Sequence, residues 1–202
     1  MSEIAHVAAT LFRRAAGSGR FVVAIAGPPG SGKSTVAERL AALLPDGSAV
    51  VVPMDGFHYD DAVLHRLGLR DRKGAPETFD LGGFEALLRR IRAVEPDIAI
   101  PVFDRTIELS RAGAALIPVD TRFILVEGNY LLLDEAPWSR LAPLFDYGIF
   151  LDVPRAELER RLLARWQGLG RPDDEARHWI ETNDLPNVEL VLARRRKADL
   201  TM

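Results

Sequence analysis

FVVAIAGPPGSGKSTVAERLAALL, residues 21–44, decides how the rest of the chain is read. Phe21–Ala26 is an unbroken apolar run of strand length, the pattern of a strand buried on both faces. GPPGSGKS follows, and from about Lys33 to Leu44 the apolar residues return at helical spacing. Glycines reach φ values closed to other residues and let a ligand approach the backbone closely. Successive N–H groups in such a loop form an anion nest, and the positive end of the following helix reinforces it. Gly27, Gly32, Lys33 and Ser34 satisfy G-x-x-x-x-G-K-[ST], the Walker A pattern that holds a nucleoside triphosphate. Every position from Gly27 to Thr35, with Pro28, Pro29, Gly30 and Ser31 among them, is therefore expected to bind ATP. Lys33 reaches the β- and γ-phosphates, and Ser34 ligates Mg²⁺.

Outward from this stretch, strands and helices alternate. Ile4, Val7, Ala8, Leu11, Phe12 and Ala15 mark an amphipathic helix that ends near Gly17. Ala49–Met54 reads as a strand whose Pro places it at an edge or at its end. Residues 55–80 read as an irregular insertion. Phe84, Leu87, Leu88, Ile91 and Val94 mark one helix face. Ile98–Phe103, Phe123–Val126 and Tyr147–Val153 read as further strands. A charged helix over about Arg155–Trp166, a GLGRPDDE loop and a helix over about Glu175–Thr182 complete the pattern. Alternation of this kind predicts an α/β domain over residues 1–202: a P-loop NTPase three-layer sandwich with a mainly parallel sheet, flanking helices and a small lid near 155–175. Ligands of such sheets bind beyond the carboxyl ends of the strands. That directs attention to residues 55–59, 104–111, 127–130 and the segment from 154 onward.

Composition narrows the chemistry. A formal net charge of −3 over 202 residues provides no basic footprint for nucleic acid. No cysteine is present, which excludes a Cys nucleophile and thiolate metal centres. No apolar run reaches the ~18 residues of a membrane span, and Glu3 without a signal-type apolar stretch leads to a cytoplasmic expectation. A homodimer is compatible with the sequence. No N-K-x-D guanine motif and no L-S-G-G-Q signature appear.

Two carboxylates stand just past strands. Asp55 in VVPMDGFHYDD suits a general base that deprotonates or orients an acceptor hydroxyl, although Asp before Gly also caps turns. Glu127 in FILVEGNYLLLDEAPW ends an apolar strand, where it can hold Mg²⁺ or contact the acceptor. Arg161 and Arg165 form a stripe beside Leu158, Leu162 and Trp166 on the charged helix. They are the expected lid residues that neutralise the transferring phosphoryl group, with Arg171 beyond them; the alternative for that helix is a solvated face.

Together with the loop, MDGFH, RKGAPETFD, PVFDR, EGNYLLLDEAPW and ETNDLPN resemble the P-loop kinase superfamily of uridine kinase, bacterial pantothenate kinase and phosphoribulokinase. The likeness covers nearly the whole chain and is nearest to the bacterial group labelled fructose transport system kinase, or nucleoside/nucleotide kinase. The resemblance implies an ATP- and Mg²⁺-dependent kinase acting on a sugar, nucleoside or pantothenate-like alcohol. It implies acceptor contacts at Asp55, His58, Tyr59, Asp104, Arg105, Glu127 and Asn129, and nucleotide contacts at Arg171, Asn183 and Asn187, the last two in a TNDLPN loop near the adenine. Phe103 and Glu108 stand where uridine kinases carry Tyr and His, which weighs against a uridine-like acceptor. The competing reading is an ATP-binding or ATP-hydrolysing regulatory module that drives a conformational switch and has no small-molecule acceptor.

Overall fold

The computed structural model describes residues 2–202. Its strands are β1 (Phe21–Ala26), β2 (Ala49–Pro53), β3 (Ile98–Asp104), β4 (Leu109–Ile117), β5 (Phe123–Gly128), β6 (Tyr147–Phe150) and β7 (Leu200–Thr201). Five of them form one sheet in the order β2-β5-β1-β6-β7, parallel throughout. The central strands β1 and β5 are buried at all six positions each, as their continuous apolar runs require. Ile25 lies opposite Glu127 in that pairing, and Pro53 lies opposite Glu127 from the other side, so the register brings the ends of three strands to one place. Pro53 closes β2 at the sheet edge, where a missing N–H is tolerated.

Helices α1 (Glu3–Arg14), α2 (Lys33–Leu43), α3 (Asp61–Leu67), α4 (Leu81–Arg92), α5 (Arg155–Gly168), α6 (Asp173–Trp179) and α7 (Leu185–Arg194) surround it. Alternate residues of β1 feed two cores. Val23 and Ile25 pack with Leu11 and Leu40 from α1 and α2; Val22 and Ala24 pack with Phe84, Leu88 and Ile91 of α4. This is the three-layer sandwich. Truncating Ile25, which is fully buried, to Ala costs about 2–5 kcal/mol. A smaller cluster of Leu158, Leu162, Ile180 and Val188 ties α5 to the helices after it.

Three expectations change. Ile98–Phe103 is a strand but not a member of the parallel sheet: β3 pairs antiparallel with β4 in a separate two-stranded hairpin. β4 escapes sequence reading because LSRAGAALI lacks strand alternation and is mostly exposed, Leu109 and Leu116 included, with only Ile117 fully inside. Residues 55–80 are ordered by short 3₁₀ turns and α3, whose N-cap Asp60 accepts from Ala62 N. TNDLPN is not a loop. Ile180–Asp184 forms one wide π turn that runs directly into α7. Pro186 is the second residue of α7, directly after that wide turn.

Candidate active site

The phosphate loop joins β1 to α2. Gly30 and Gly32 have φ of +81° and +91°, conformations that favour glycine. A Cβ on Gly27 would stand 2.7 Å from Ser31 Oγ and 3.1 Å from the Leu151 carbonyl oxygen, so the loop is packed too tightly for any side chain there. Among the described residues, Ser31 N donates to Pro28 O, while the N–H groups of Gly30, Gly32, Lys33 and Ser34 find no protein acceptor. A row of free donors at a helix N-terminus fits phosphate oxygens. Lys33 is buried, and its ammonium donates to Pro28 O at 3.0 Å. Burial pulls its pKa down to about 8; Glu127 and Asp55 oppose the shift, and Arg165 and Arg105 add to it.

Ser34 Oγ donates to Glu127 Oε1 at 3.2 Å, which joins the first turn of α2 to the end of β5. A hydroxyl and a buried carboxylate side by side, next to a phosphate nest, are the donor set Mg²⁺ prefers. Burial, followed by repulsion from Asp55, holds the Glu127 carboxyl above its usual range. Asp55 sits in the 3₁₀ turn Met54–Phe57 after β2. Gly56 makes that turn possible, because a Cβ there would lie 2.3 Å from the Pro101 carbonyl oxygen. Burial alone would raise the Asp55 carboxyl; His58 and Arg105, with Lys33 and Arg165 behind them, reverse this and hold it below the ordinary value. His58 Nε2 is 4.0 Å from Asp55 Oδ1, and Arg105 donates to Asp55 Oδ2 at 2.7 Å. Burial lowers the His58 pKa to about 4, so at neutral pH Arg105 supplies the nearby positive charge.

Asp55, His58, Phe103, Arg105 and Asn129 line one cleft of about 280 Å³, together with Arg165 and Arg171 from the charged helix and the turn after it. The His58 ring packs 4.0 Å from the Phe79 ring and 5.0 Å from Phe103. Lys73 closes the floor. It is buried, bonded to Asp61 Oδ1 at 2.7 Å, and 3.1 Å from Glu108 Oε1, and so ties the insertion to the β3–β4 turn. Sequence reading passed over Lys73, although the RKGAPETFD segment that carries it stood out. The insertion is also pinned by Tyr130, whose hydroxyl donates to Gly74 O at 2.5 Å.

Two expected lid arginines behave differently. Arg161 Nη1 donates to the carbonyls of Ser31 (3.2 Å) and Gly30 (3.4 Å), and its Nε donates to Glu157. Arg165 faces the cleft with no hydrogen bond or carboxylate partner among the described residues. Arg160 pairs with Glu157 on the exposed side of α5, a solvated face. Arg171 is stacked on Trp166 and Trp179, its guanidinium carbon 4.6 and 5.1 Å from the ring centres.

Other candidates fall outside this gathering. Tyr59 lines a different hollow, with Leu133 and Trp138. Asp104 turns back on its own hairpin, accepting from Thr106 N and Oγ1, with Arg111 at 3.7 Å. Asn183 and Asn187 are buried; Asn183 Nδ2 donates to Lys73 O at 2.7 Å, which braces the insertion from the π turn.

Comparison with known proteins agrees with this geometry. Residues 22–167 match the phosphoribulokinase / uridine kinase family. The uncharacterized protein YggC of Escherichia coli (strain K12) is 40% identical over 185 residues, covering 90% of this chain and 76% of that one. A Schizosaccharomyces pombe protein named "putative uridine kinase" is 34% identical over 183 residues, covering 85% and 78%. A crystal structure from Silicibacter sp. TM1040, described as a "putative fructose transport system kinase", matches over the whole of both chains with a TM-score of 0.94 at 42% identity. The chain belongs to the phosphoribulokinase / uridine kinase family and is a P-loop small-molecule kinase, a phosphotransferase with an alcohol as acceptor.

Proposed function

We propose that this kinase carries the γ-phosphoryl group of ATP from the phosphate loop to a hydroxyl of a sugar, nucleoside or pantothenate-like metabolite held in the cleft beside Asp55. The observation that carries this reading is the position of Asp55: an ionised carboxylate, fixed through one oxygen by Arg105, on the rim of a cleft next to Lys33 and Glu127. Its other oxygen, Oδ1, has only neutral His58 within reach and is open to an acceptor hydroxyl. The acceptor oxygen bonds to the γ-phosphorus, the bond from that phosphorus to the β–γ bridging oxygen breaks, ADP leaves, and Asp55 takes the hydroxyl proton. Lys33 and the free N–H groups of the loop hold the triphosphate. Ser34 and Glu127 would hold Mg²⁺, which when bound neutralises phosphate charge. Arg165, whose charge acts on both Lys33 and Asp55, neutralises the moving phosphoryl group. The segment near 155–175 serves as the lid. The test is ATP turnover with and without a panel of hydroxylated metabolites. ADP release stimulated at least several-fold by an acceptor, with a matching gain of a phosphoryl group in that acceptor, is the expected result. Slow hydrolysis indifferent to every acceptor points instead to the regulatory switch.

A further inference from the structure

The cleft is more cationic than transfer to a neutral alcohol requires. Five basic side chains line it (Arg70, Lys73, Arg105, Arg165 and Arg171) against the carboxylates of Asp55 and Glu108. Three are already neutralised: Arg70 and Lys73 share Asp61, Lys73 also meets Glu108, and Arg105 holds Asp55. Arg165, whose guanidinium carbon lies 5.5 Å from the Trp166 ring, is the arginine proposed above for the moving phosphoryl group. Arg171 remains. Among the described residues no carboxylate lies within ion-pair distance of its side chain and no acceptor takes a hydrogen bond from it; Asp184 acts on it only from beyond that distance, and it does not touch the phosphate loop as Arg161 does.

Its surroundings are nevertheless built. Trp166 and Trp179 meet edge to face at 6.0 Å, and the guanidinium packs on both. Trp166 is fixed in turn by its Nε1–H, which donates to Asp184 Oδ2 at 2.7 Å from the π turn. The guanidinium carbon lies within cation–π reach of both rings, which are 70° apart, and its N–H groups meet no hydrogen-bond acceptor among the described residues; a guanidinium held this way offers the planar fork that matches a carboxylate or a phosphate. One face of each indole is taken up by this arginine, so the aromatic pair acts as a mount for charge.

We infer that the acceptor carries, apart from its reacting hydroxyl, an anionic group (a carboxylate or a phosphate) that forks onto Arg171 at the indole end of the cleft. This rests on the kinase reading and narrows its acceptor class. Asp184 and the two tryptophans are positioning residues for that fork.

The experiment compares matched pairs of alcohols that differ in the anion: D-glycerate with D-glyceramide, pantothenate with pantothenol, and fructose 6-phosphate with fructose. The first two pairs probe a carboxylate and the third a phosphate, so the pair that responds identifies the anion. In at least one pair the charged member should be phosphorylated with kcat/KM about 10- to 100-fold above its neutral partner. Arg171→Ala should abolish that preference through KM for the charged member, with ATP affinity by calorimetry unchanged; a loss of ATP affinity would return Arg171 to the nucleotide contact that the family resemblance implies and overturn the inference. Arg171→Lys, which keeps charge but not the fork, should restore part of it. A neutral member used as well as its charged partner, or equal losses on both members in Arg171→Ala, overturns the inference and leaves the kinase intact. If no compound is phosphorylated, calorimetric binding of the six to the wild type and to Arg171→Ala decides. Arg171-dependent binding of a charged member upholds the anion site while the kinase reading falls. Binding of none, or of neutral members alone, removes the anion site as well.

Discussion

At the phosphate loop, the groups facing a ligand are backbone N–H donors, locked between a fully buried strand and the first turn of α2. In the cleft beyond Asp55 they are side chains, each held by another: Arg105 on Asp55, Lys73 between Asp61 and Glu108, Arg171 on two indoles. A backbone nest is indifferent to most substitutions outside its glycines, because the donors belong to the chain itself. A side-chain wall changes with any one residue. A nest of this kind holds the triphosphate whatever the acceptor, and the side-chain wall decides which acceptor fits beside it. The same contrast orders the effects expected from substitution.

The largest loss belongs to the one side chain on which the backbone end depends. Lys33→Ala removes a preorganised positive charge from the triphosphate site and should lower kcat by about 10²–10³-fold. The melting temperature should hold or rise, since the buried ammonium is itself disfavoured in the folded state. Steady-state kinetics with a thermal melt on the same preparation checks both; wild-type turnover would dissolve the distinction between the two ends.

On the cleft side, Asp55→Asn keeps shape and removes basicity. ATP affinity should stay within a few-fold of wild type while phosphorylation falls by about 10²-fold, the low end for loss of a general base, since phosphoryl transfer needs little early proton abstraction. Calorimetry for ATP and product formation for transfer separate the two numbers. A wild-type transfer rate would make Asp55 a turn residue and move the search for the base to Glu127.

The arginines sharpen the comparison further, because one serves each end. Arg161 braces the loop through its carbonyls and an exposed ion pair, so Arg161→Ala should cost only about two- to fivefold in kcat/KM. Arg165 is unpartnered and faces the cleft, so Arg165→Ala should cost kcat roughly tenfold or more, with ATP binding little changed. Equal effects, measured side by side, would return α5 to a solvated face.

How much of this was legible in the sequence follows the same division. The loop could be read residue by residue because its function is local: one strand, eight residues and one helix in unbroken succession. Asp55 and Glu127 were legible because each stands at or just past the carboxyl end of an apolar strand of the sheet. The cleft wall was not, because its members come from segments far apart in sequence. Lys73 meets Glu108 across 35 positions, and Asn183 meets Lys73 across 110. β4 was missed because its apolar residues do not alternate, and α7 because Asn and Pro are turn residues in most settings. Trp166 was read as part of an apolar stripe; that its indole also carries an arginine could be known only once α6 and the π turn were in place.

The smallest expected effect is a pH dependence confined to the cleft side. His58 lies between the Phe79 and Phe103 rings, and burial lowers its pKa from 6.5 to about 4. Between those two values the unfolded chain binds a proton at this residue that the folded protein refuses. Unfolding then takes up protons, and stability at this site rises with pH across the interval. Equivalently, it is lost as the solution is acidified from about 6.5 toward 4, by an amount on the order of 1–3 kcal/mol. Glu127 runs the other way, since its raised carboxyl binds a proton more readily when folded. The difference between wild type and His58→Leu is therefore the quantity to measure, because the Glu127 contribution cancels in it to first order. Urea unfolding at pH 7.5, 6, 5 and 4.5 should show the variant gaining on the wild type step by step as pH falls. Parallel profiles would mean that His58 is as free to take a proton in the cleft as in water, and that the wall beside Asp55 is open to solvent and not packed by its two phenyl rings.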